Sequence, residues 1–540
     1  MKINCLPSDF PTVVSFDIET EVGFDGKSDP HRDPIVTIQV DVPNDDTYIL
    51  TENFERIVSL LEDDTIVKLA HNVSFDVKFI LHNLRAHTAN VFDTFLVERV
   101  LTAGEQKSCS LESVAGRRLG KILNKSLQTK FQKGQLTDKH LKYAAQDAAV
   151  LYPIYKQQIK ELREKDLVFV VELENQLAPV VGSIELYGIR FDSAQWENIL
   201  ESEREQRDNL YEKIVKDLGV PYQNGLFGSF DSNLNLNSRL QVLDLLAKQG
   251  INLPNYQALT LKKYTQSHPD CEVLQDILEY KKHEKRISWD YPKYVNPKTG
   301  RIHPNIHQLG ARSGRLAFSD PNLQQVPKQD SFRKLFIPEE SYCLITADYS
   351  QIELRTLAEE ADDKAMIEAF KEGRDFHQTT AELIANNLGT TPDRYLGKTC
   401  NFAAVYGSSA EGLSALTGIP SDKWRDILRA YFDTYSGLEL WYDKAFKDLV
   451  QNGYTKTLAG RKRWFPELDS SNAYKYKRIA RNSPIQGGAQ DIIKKSLVLV
   501  HDALKNYDAR TVHTVHDEIV IESVRKQAKE VAEIVKREMI

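Results

Sequence analysis

"TTPDRYLGKTCNFAAVYG", residues 390–407, is the stretch whose reading decides the fold. Thr391 followed by Pro392 is a helix-start signature, with threonine as the cap and proline at the first helical position, where its missing N–H costs nothing. Arg394, Lys398, Phe402 and Tyr406 then recur every four residues and make one drifting stripe about 18 Å long at the α-helical rise. Two cations at i and i+4 repel by roughly a few tenths of a kcal/mol on an exposed helix, so Arg394 and Lys398 add nothing to stability. Facing a triphosphate they have a use: the arginine as a planar fork for the outer phosphate, the lysine as a point charge and a proton donor to leaving pyrophosphate. Phe402 and Tyr406 could then stack near an incoming base. The plain alternative is two core aromatics and two solvated cations.

Phosphoryl transfer also needs carboxylates, and two other stretches supply them. In "TVHTVHDEIVIE", residues 511–522, the β-branched Thr511, Val512, Thr514, Val515, Ile519, Val520 and Ile521 form two strand arms around His516, Asp517 and Glu518. Adjacent acids in a partly buried turn lose solvation and repel unless they face a cation, a proton or open water. A solvated polar turn is the simpler reading of that stretch alone. In "LITADYSQIELR", residues 344–355, an apolar strand runs into Asp348 and gives way to a helix. An acid at that junction suits a bound cation, and equally a helix cap.

At 540 residues the chain is too long for one core, and length points to three or four domains. With 41% hydrophobic and 27% charged residues it reads as soluble and globular. No apolar run reaches the length of a membrane span, and "MKINCLPSDF" lacks the pattern of a signal peptide, so an intracellular, cytoplasmic protein with no membrane partner is expected. The five cysteines are scattered without a CxxC pair, which argues against a zinc site or a disulfide framework.

A formal net charge of −7 does not advertise a polyanion partner, but the charge is segregated. Between Lys456 and Lys495, ten Lys and Arg stand against Glu467, Asp469 and Asp491, with Trp464, Phe465, Tyr474 and Tyr476 interleaved. That mixture suits phosphate contacts and stacking; a solvated basic helix is the alternative. Strand-like runs open the chain and mark its first 165 residues as an α/β unit. Charged helical regions follow at about Gln195–Lys216 and Glu272–Ile287, with the Gly/Asn-rich loop "QNGLFGSFDSNLNLNS", residues 223–238, between them as a junction or tip.

In "SFDIET", Asp17 and Glu19 lie two apart on a strand and share a face. Asp76 stands in "HNVSFDVKFI" and Asp147 in "LKYAAQDAAVL", where Tyr143 precedes it by one helical turn on the same face. Four acids and a tyrosine match what two-metal hydrolysis of a phosphodiester needs: hard oxygen ligands for Mg²⁺ or Mn²⁺ and a hydroxyl to orient water. In this order and spacing, with "FDTFLVERVL" and "CSLESVAGRRLG" between them, they resemble the three motifs of the DEDDy proofreading 3′-to-5′ exonucleases over about residues 10–165. The resemblance implies an RNase H-like α/β fold in which Asp17, Glu19, Asp76 and Asp147 bind the metals and Tyr143 positions the water.

"DYSQIELR", "RYLGKTCNFAAVYG" and "VHDEIV" resemble motifs A, B and C of the family A DNA polymerases. "RSGRLAFSDPNLQQVP", "TLAGRKRW" and "RIARNSPIQGGAQDIIK" resemble further pieces in the expected order, from about Glu172 to the C-terminus. The implied architecture is an exonuclease domain over 1–165 followed by a right-hand polymerase domain. Its parts are a connecting palm segment and thumb over 166–301, palm with motif A over 302–360, fingers over 361–471, and palm with motif C over 472–540. The resemblance makes Asp348, Tyr349 and Asp517 the ligands of two catalytic metals, with Glu518 beside them. It gives the triphosphate to Arg394, Lys398 and His377, makes Glu353 a steric gate against ribose, and has Phe402 discriminate against dideoxynucleotides. Gln351 and Tyr406 also line the nucleotide site. Arg315, Arg478, Asn482 and Gln486 would meet primer and template, largely through minor-groove acceptors that every base pair shares, and His516 is a further substrate-binding residue.

Two Mg²⁺ ions in each site, with Mn²⁺ as a substitute, primer–template DNA, dNTPs and a monomeric state are the implied cofactors, partners and assembly. Helicase or single-strand binding partners are not specified. Three departures from the family pattern accompany the resemblance. Asp17 lies so near Met1 that no 5′ nuclease domain is expected before it, Ala403 replaces the usual glycine after Asn-Phe, and the chain stops at Ile540, before the family's final palm strand, which would leave an exposed edge. The alternatives are therefore an exonuclease with impaired polymerisation or a non-catalytic primer–template binder. A single-subunit RNA polymerase is disfavoured by Glu353 and the proofreading motifs.

Overall fold

The computed structural model describes residues 1–105, 107–224, 230–327 and 329–540. The middle of the expected 223–238 junction, residues 225–229, lies outside the described residues; its flanks, Tyr222–Asn224 and Phe230–Ser232, pair as an antiparallel ribbon.

The β-branched runs near the N-terminus form one six-stranded mixed sheet. Its strands are β1 (Lys2–Ile3), β2 (Val13–Thr20), β3 (Ile35–Asp41), β4 (Thr47–Leu50), β5 (Val67–Ala70) and β6 (Val91–Asp93), in the order β1-β4-β3-β2-β5-β6. β3 and β4 return antiparallel beside β2, whereas β5 and β6 continue parallel on its other side. Ile35 to Val40 are buried without interruption, which is the pattern of a central strand covered on both faces. The helix Val73–Leu84 carries Asp76, and the helix Asp138–Ala149 packs on β2 and β3 and brings Tyr143 and Asp147 to the sheet.

The core of this unit, built on Val14, Phe16, Leu69, Phe79 and Ile154, extends into the helix Val168–Tyr187 through Val170, Val171 and Ala178. That helix is buried nearly all round, and its other residues, Leu177, Val180, Val181 and Ile184, belong to the next core. One helix thus serves two units. Glu174, fully buried on it, accepts from Lys494 Nζ at 2.6 Å and from Arg461 Nη2 at 2.5 Å, while Arg461 Nε reaches Asp491 Oδ1 at 2.7 Å.

The second core holds a three-stranded antiparallel sheet in which Glu518–Val524 lies between Tyr342–Asp348 and Ala509–Val515. Ile519 and Ile521 face Leu497 on the long helix Ala473–Ala503 and Val531 and Val535 on the helix Ala528–Glu538. The hairpin turn is His516–Asp517, with His516 left-handed at φ +57°, as tight two-residue turns require. Separate cores lie under the helices Ser193–Asp217 and Glu272–Ile287 (Ile214, Leu246, Leu274) and under the helices between Ile352 and Asn452 (Phe376, Cys400, Trp424, Tyr431).

The helix of the opening stretch starts later than its Thr-Pro signature predicts. It runs Arg394–Tyr406 with Asp393 as the cap, whose carboxylate accepts from Tyr395 N at 2.8 Å; Thr391 and Pro392 stay outside. Aspartate outranks threonine as a cap, so the nearer, stronger acceptor sets the boundary. Among the described residues no helix is long and apolar enough to cross a membrane.

Candidate active sites

The strand ladder fixes the floor of the first site. Asp348 ends its strand directly opposite Glu518, and Tyr349 N donates to Asp517 O at 3.3 Å, so three acids converge at one end of the sheet. They open on a cleft of about 680 Å³ whose far wall is the Arg394–Tyr406 helix, with Arg394, Lys398, Phe402 and Tyr406 all facing it. The four-residue stripe therefore does share a face. Phe402 and Tyr406 stack at 6.0 Å between centroids, and Lys398 Nζ lies 5.7 Å from the Phe402 ring. The repulsion expected between Arg394 and Lys398 is eased by Asp375, which accepts from Arg394 Nε at 2.7 Å.

His377, Gln351, Glu353, Arg315 and the exposed His516 complete the wall. Burial, with Arg394 nearby, keeps the His377 pKa below its ordinary value. Asn401 gives its carbonyl to Tyr431 and turns its amide to His377 Nδ1 at 3.1 Å, which leaves Nε2 of the neutral ring as a donor. Gln351 adopts a left-handed conformation at φ +56° at the start of its helix and approaches Asp375. Glu353 is clamped: Arg315 Nη2 donates to one oxygen and the Tyr406 hydroxyl to the other at 2.9 Å. Tyr406 is held in turn by Gln486 Nε2 at 3.4 Å on its hydroxyl and by Arg478 Nε at 3.3 Å on its carbonyl.

The Tyr349 phenol points away from the acids, bonded to Ser496 Oγ and Met539 O at 2.6 Å each, so its hydroxyl is no metal ligand there. Alternation along the chain sends it into the core beneath the sheet, where Ile345 and Ala347 also pack. Arg478 and Gln486 hold Tyr406 from the long helix, and neither they nor Asn482, whose side-chain carbonyl is buried without a partner, line the cleft. Sequence reading missed Arg333, 3.7 Å from Glu518, and Gly397, where a Cβ would collide with His377 O. The lone glycine inside a helical pattern was the available signal for that close approach.

The second site lies in the N-terminal unit. One carboxylate oxygen from each of Asp17, Glu19 and Asp147 falls within 4.8 Å of the others. Asp76 joins the same cleft of about 620 Å³, its Oδ1 accepting from Ile18 N at 3.2 Å; Tyr143 and His307 also line it. Asp17 Oδ2 accepts from Gln39 Nε2 at 2.7 Å, whereas Asp147 Oδ1 is buried without a partner. Burial, then the charge of Asp147, pushes Asp17 up to about 7. Burial and neighbouring acids raise Glu19 and Asp76 well above the carboxylate range, and burial raises Asp147. Tyr143 is also raised, by burial and by Asp147. Lys125 Nζ donates to Asp147 Oδ2 at 2.6 Å, a contact absent from the sequence reading.

An all-oxygen donor set with an orphaned carboxylate oxygen and mutual repulsion fits hard divalent cations. The raised pKa values give this fit a pH dependence. Carboxylates that titrate higher folded than unfolded make the folded state bind more protons, so without a cation their cost grows as pH rises from about 4 through about 7. Mg²⁺ or Mn²⁺ is accordingly expected to raise the melting temperature more at pH 8 than at pH 5.5, and Asp147→Ala to remove most of the difference, as differential scanning fluorimetry would read.

Residues 210–540 match DNA polymerase family A, and residues 7–163 match the 3′-5′ exonuclease domain. The chain belongs to DNA polymerase family A. Among similar proteins, DNA polymerase I of Caldicellulosiruptor bescii is 32% identical over 91% of this chain and 57% of its own length. The thermostable DNA polymerase I of Thermus thermophilus is 33% identical over 72% and 48%, and that of Aquifex aeolicus, DNA polymerase I, is 30% identical over 92% and 88%. The chain spans about half the length of the first relatives it matches. The POL domain of Pol1 from M. smegmatis, solved in complex with DNA primer-template and dNTP, superposes with a TM-score of 0.81 at 25% identity, over 97% of this chain and 91% of that one. The carboxylates of the two candidate clefts fall one set in each matched domain, and both domains are from families generally dependent on divalent metal.

Proposed function

We propose that the chain is a template-directed DNA polymerase that adds dNTPs to a primer 3′-hydroxyl and trims that end through a separate 3′-to-5′ exonuclease site. The observation that carries this reading is the polymerase cleft, in which Asp348 at a strand end and Asp517 in the adjoining hairpin turn face a helix presenting Arg394 and Lys398. Asp348 and Asp517 would hold two Mg²⁺ ions, as would Asp17, Glu19, Asp76 and Asp147 in the other site. Bound there, the metals supply a lowered pKa for the attacking hydroxyl and charge stabilisation at phosphorus.

The remaining work falls to side chains. Arg394, Lys398 and His377 Nε2 bind the triphosphate, and Lys398 delivers a proton to the leaving pyrophosphate. Phe402 and Tyr406 form the surface against which the incoming base stacks. Arg478 and Gln486 hold Tyr406 and, with Asn482, meet primer and template beside the nascent pair, while His516 and Arg315 meet the primer side. In the exonuclease site Tyr143 orients the attacking water. We assign the units to 1–165, 166–301, 302–360, 361–471 and 472–540; the cores under the N-terminal sheet and under the helices Ser193–Asp217 and Glu272–Ile287 are distinct from those of the remaining units, although single helices bridge neighbouring cores.

A labelled primer–template with Mg²⁺ tests this reading directly. Extension with dNTPs and shortening without them are expected; shortening without any extension would overturn the polymerase half. The clamp on Glu353 adds a second expectation. Glu353→Ala opens space beside the sugar and unpairs Arg315 and Tyr406. Ribonucleotide insertion relative to deoxyribonucleotide should therefore rise roughly ten- to a hundredfold while total kcat/KM falls. Single-turnover insertion of matched rNTP and dNTP checks it, and an unchanged ratio would remove Glu353 from sugar selection.

A further inference from the structure

We propose that Lys125 is a scissile-phosphate contact of the exonuclease site, resting on Asp147 until DNA enters. The inference builds on the exonuclease reading above. Lys125 lies between the helices Leu111–Leu119 and Asp138–Ala149, in a segment without regular structure, so its position was invisible to periodicity. Its ammonium reaches Asp147 Oδ2 at 2.6 Å and sits 5.4 Å from the centre of the Tyr143 ring, adjacent to a metal-binding acid and to the water-orienting tyrosine. The lysine side chain keeps 22% of its surface exposed against 7% for Asp147, so it approaches the cluster from the open side of the cleft. Its charge is felt at Asp17, Glu19 and Asp147 alike.

Charge balance says what that cation is for. Four carboxylates and two divalent ions sum to zero, which leaves the entering phosphodiester without a counter-charge. In the reaction, water adds to the phosphorus of the last linkage and the P–O3′ bond breaks with its electron pair on O3′. Of the two water protons, one finishes on that O3′ and the other is released or retained by the phosphate according to pH. The products are a nucleoside 5′-monophosphate and DNA one residue shorter. Negative charge on the non-bridging oxygens grows toward the transition state, and a lysine on a flexible four-carbon stem can leave a carboxylate for such an oxygen without backbone movement.

The test separates this role from simple neutralisation of Asp147. Binding of single-stranded DNA would be measured with Ca²⁺ in place of Mg²⁺, using an ordinary 3′-terminal phosphodiester and a neutral methylphosphonate at the same linkage. The wild type is expected to prefer the phosphodiester about tenfold, Lys125→Met to lose that preference, and Lys125→Arg to keep most of it. Hydrolysis by Lys125→Met with Mg²⁺ should fall about a hundredfold. If Lys125→Met retains the preference and only its Mn²⁺ affinity changes, Lys125 is a counter-ion and the proposal is overturned. A wild type that shortens no primer would instead overturn the exonuclease reading itself, so the two failures are distinguishable.

Discussion

Asp517→Ala is expected to lower primer extension by about a thousandfold or more while leaving primer shortening without dNTPs unchanged, and Asp147→Ala to do the reverse. The magnitude follows from removing a metal ligand at the reacting phosphorus, where electrostatic stabilisation supplies several kcal/mol of the barrier reduction. The selectivity follows from the fold. Asp517 is a turn residue on the central sheet, and its side chain holds up no core; Ile519 and Ile521, which do, are untouched. Asp147 belongs to another sheet unit, and its loss relieves its repulsion with Asp17 and Glu19. Neither substitution therefore has a folding route to the other activity. Paired extension and degradation assays on the same preparations check this, and a loss of both activities in Asp517→Ala would mean that one site serves both reactions.

The candidate sites were legible where chemistry coincides with a period. Asp17 and Glu19 share a strand face, Tyr143 and Asp147 share a helix face, and Arg394 to Tyr406 share a stripe, because those spacings are fixed by backbone geometry. Long ordered motifs added the resemblance that family membership later bore out. What stayed hidden depends on packing between distant segments. Lys125 has no periodic neighbour, the Tyr349 phenol packs beneath the sheet against Ser496 and Met539, and Asp393 displaced Thr391 as a cap two residues beyond the expected start. Asp375 resolves the Arg394–Lys398 repulsion from a helix nineteen residues upstream, which no local reading of residues 390–407 contains.

Glu174 is the extreme case, since in "VELENQL" it reads as one more solvated helix acid yet is 0% exposed. Burial acts to raise its pKa, but Lys494 and Arg461 outweigh that and hold it below the usual range. Glu174→Leu is expected to destabilise the protein by about 3–5 kcal/mol, because it strands Lys494 in a fully buried site rather than because the lost pair was worth that much. Arg461 keeps Asp491, so Lys494 is the group left alone. Glu174→Leu combined with Lys494→Met should then recover most of the loss.

The two variants should also differ with pH. Burial already lowers Lys494 to about 8 beside Glu174, and without the carboxylate it falls further. A lysine that titrates lower folded than unfolded leaves the unfolded chain binding the extra proton, so the single variant gains stability relative to the double variant as pH rises toward 10. Urea midpoints for the two proteins between pH 7 and 10 measure this. A difference between them that stays constant with pH would place the cost in packing of the connecting helix instead of in the charge. Because that helix contributes Val170 and Val171 to one core and Val180 and Val181 to the next, a charge-driven loss should lower both activities together at a given temperature, unlike any substitution in either cleft.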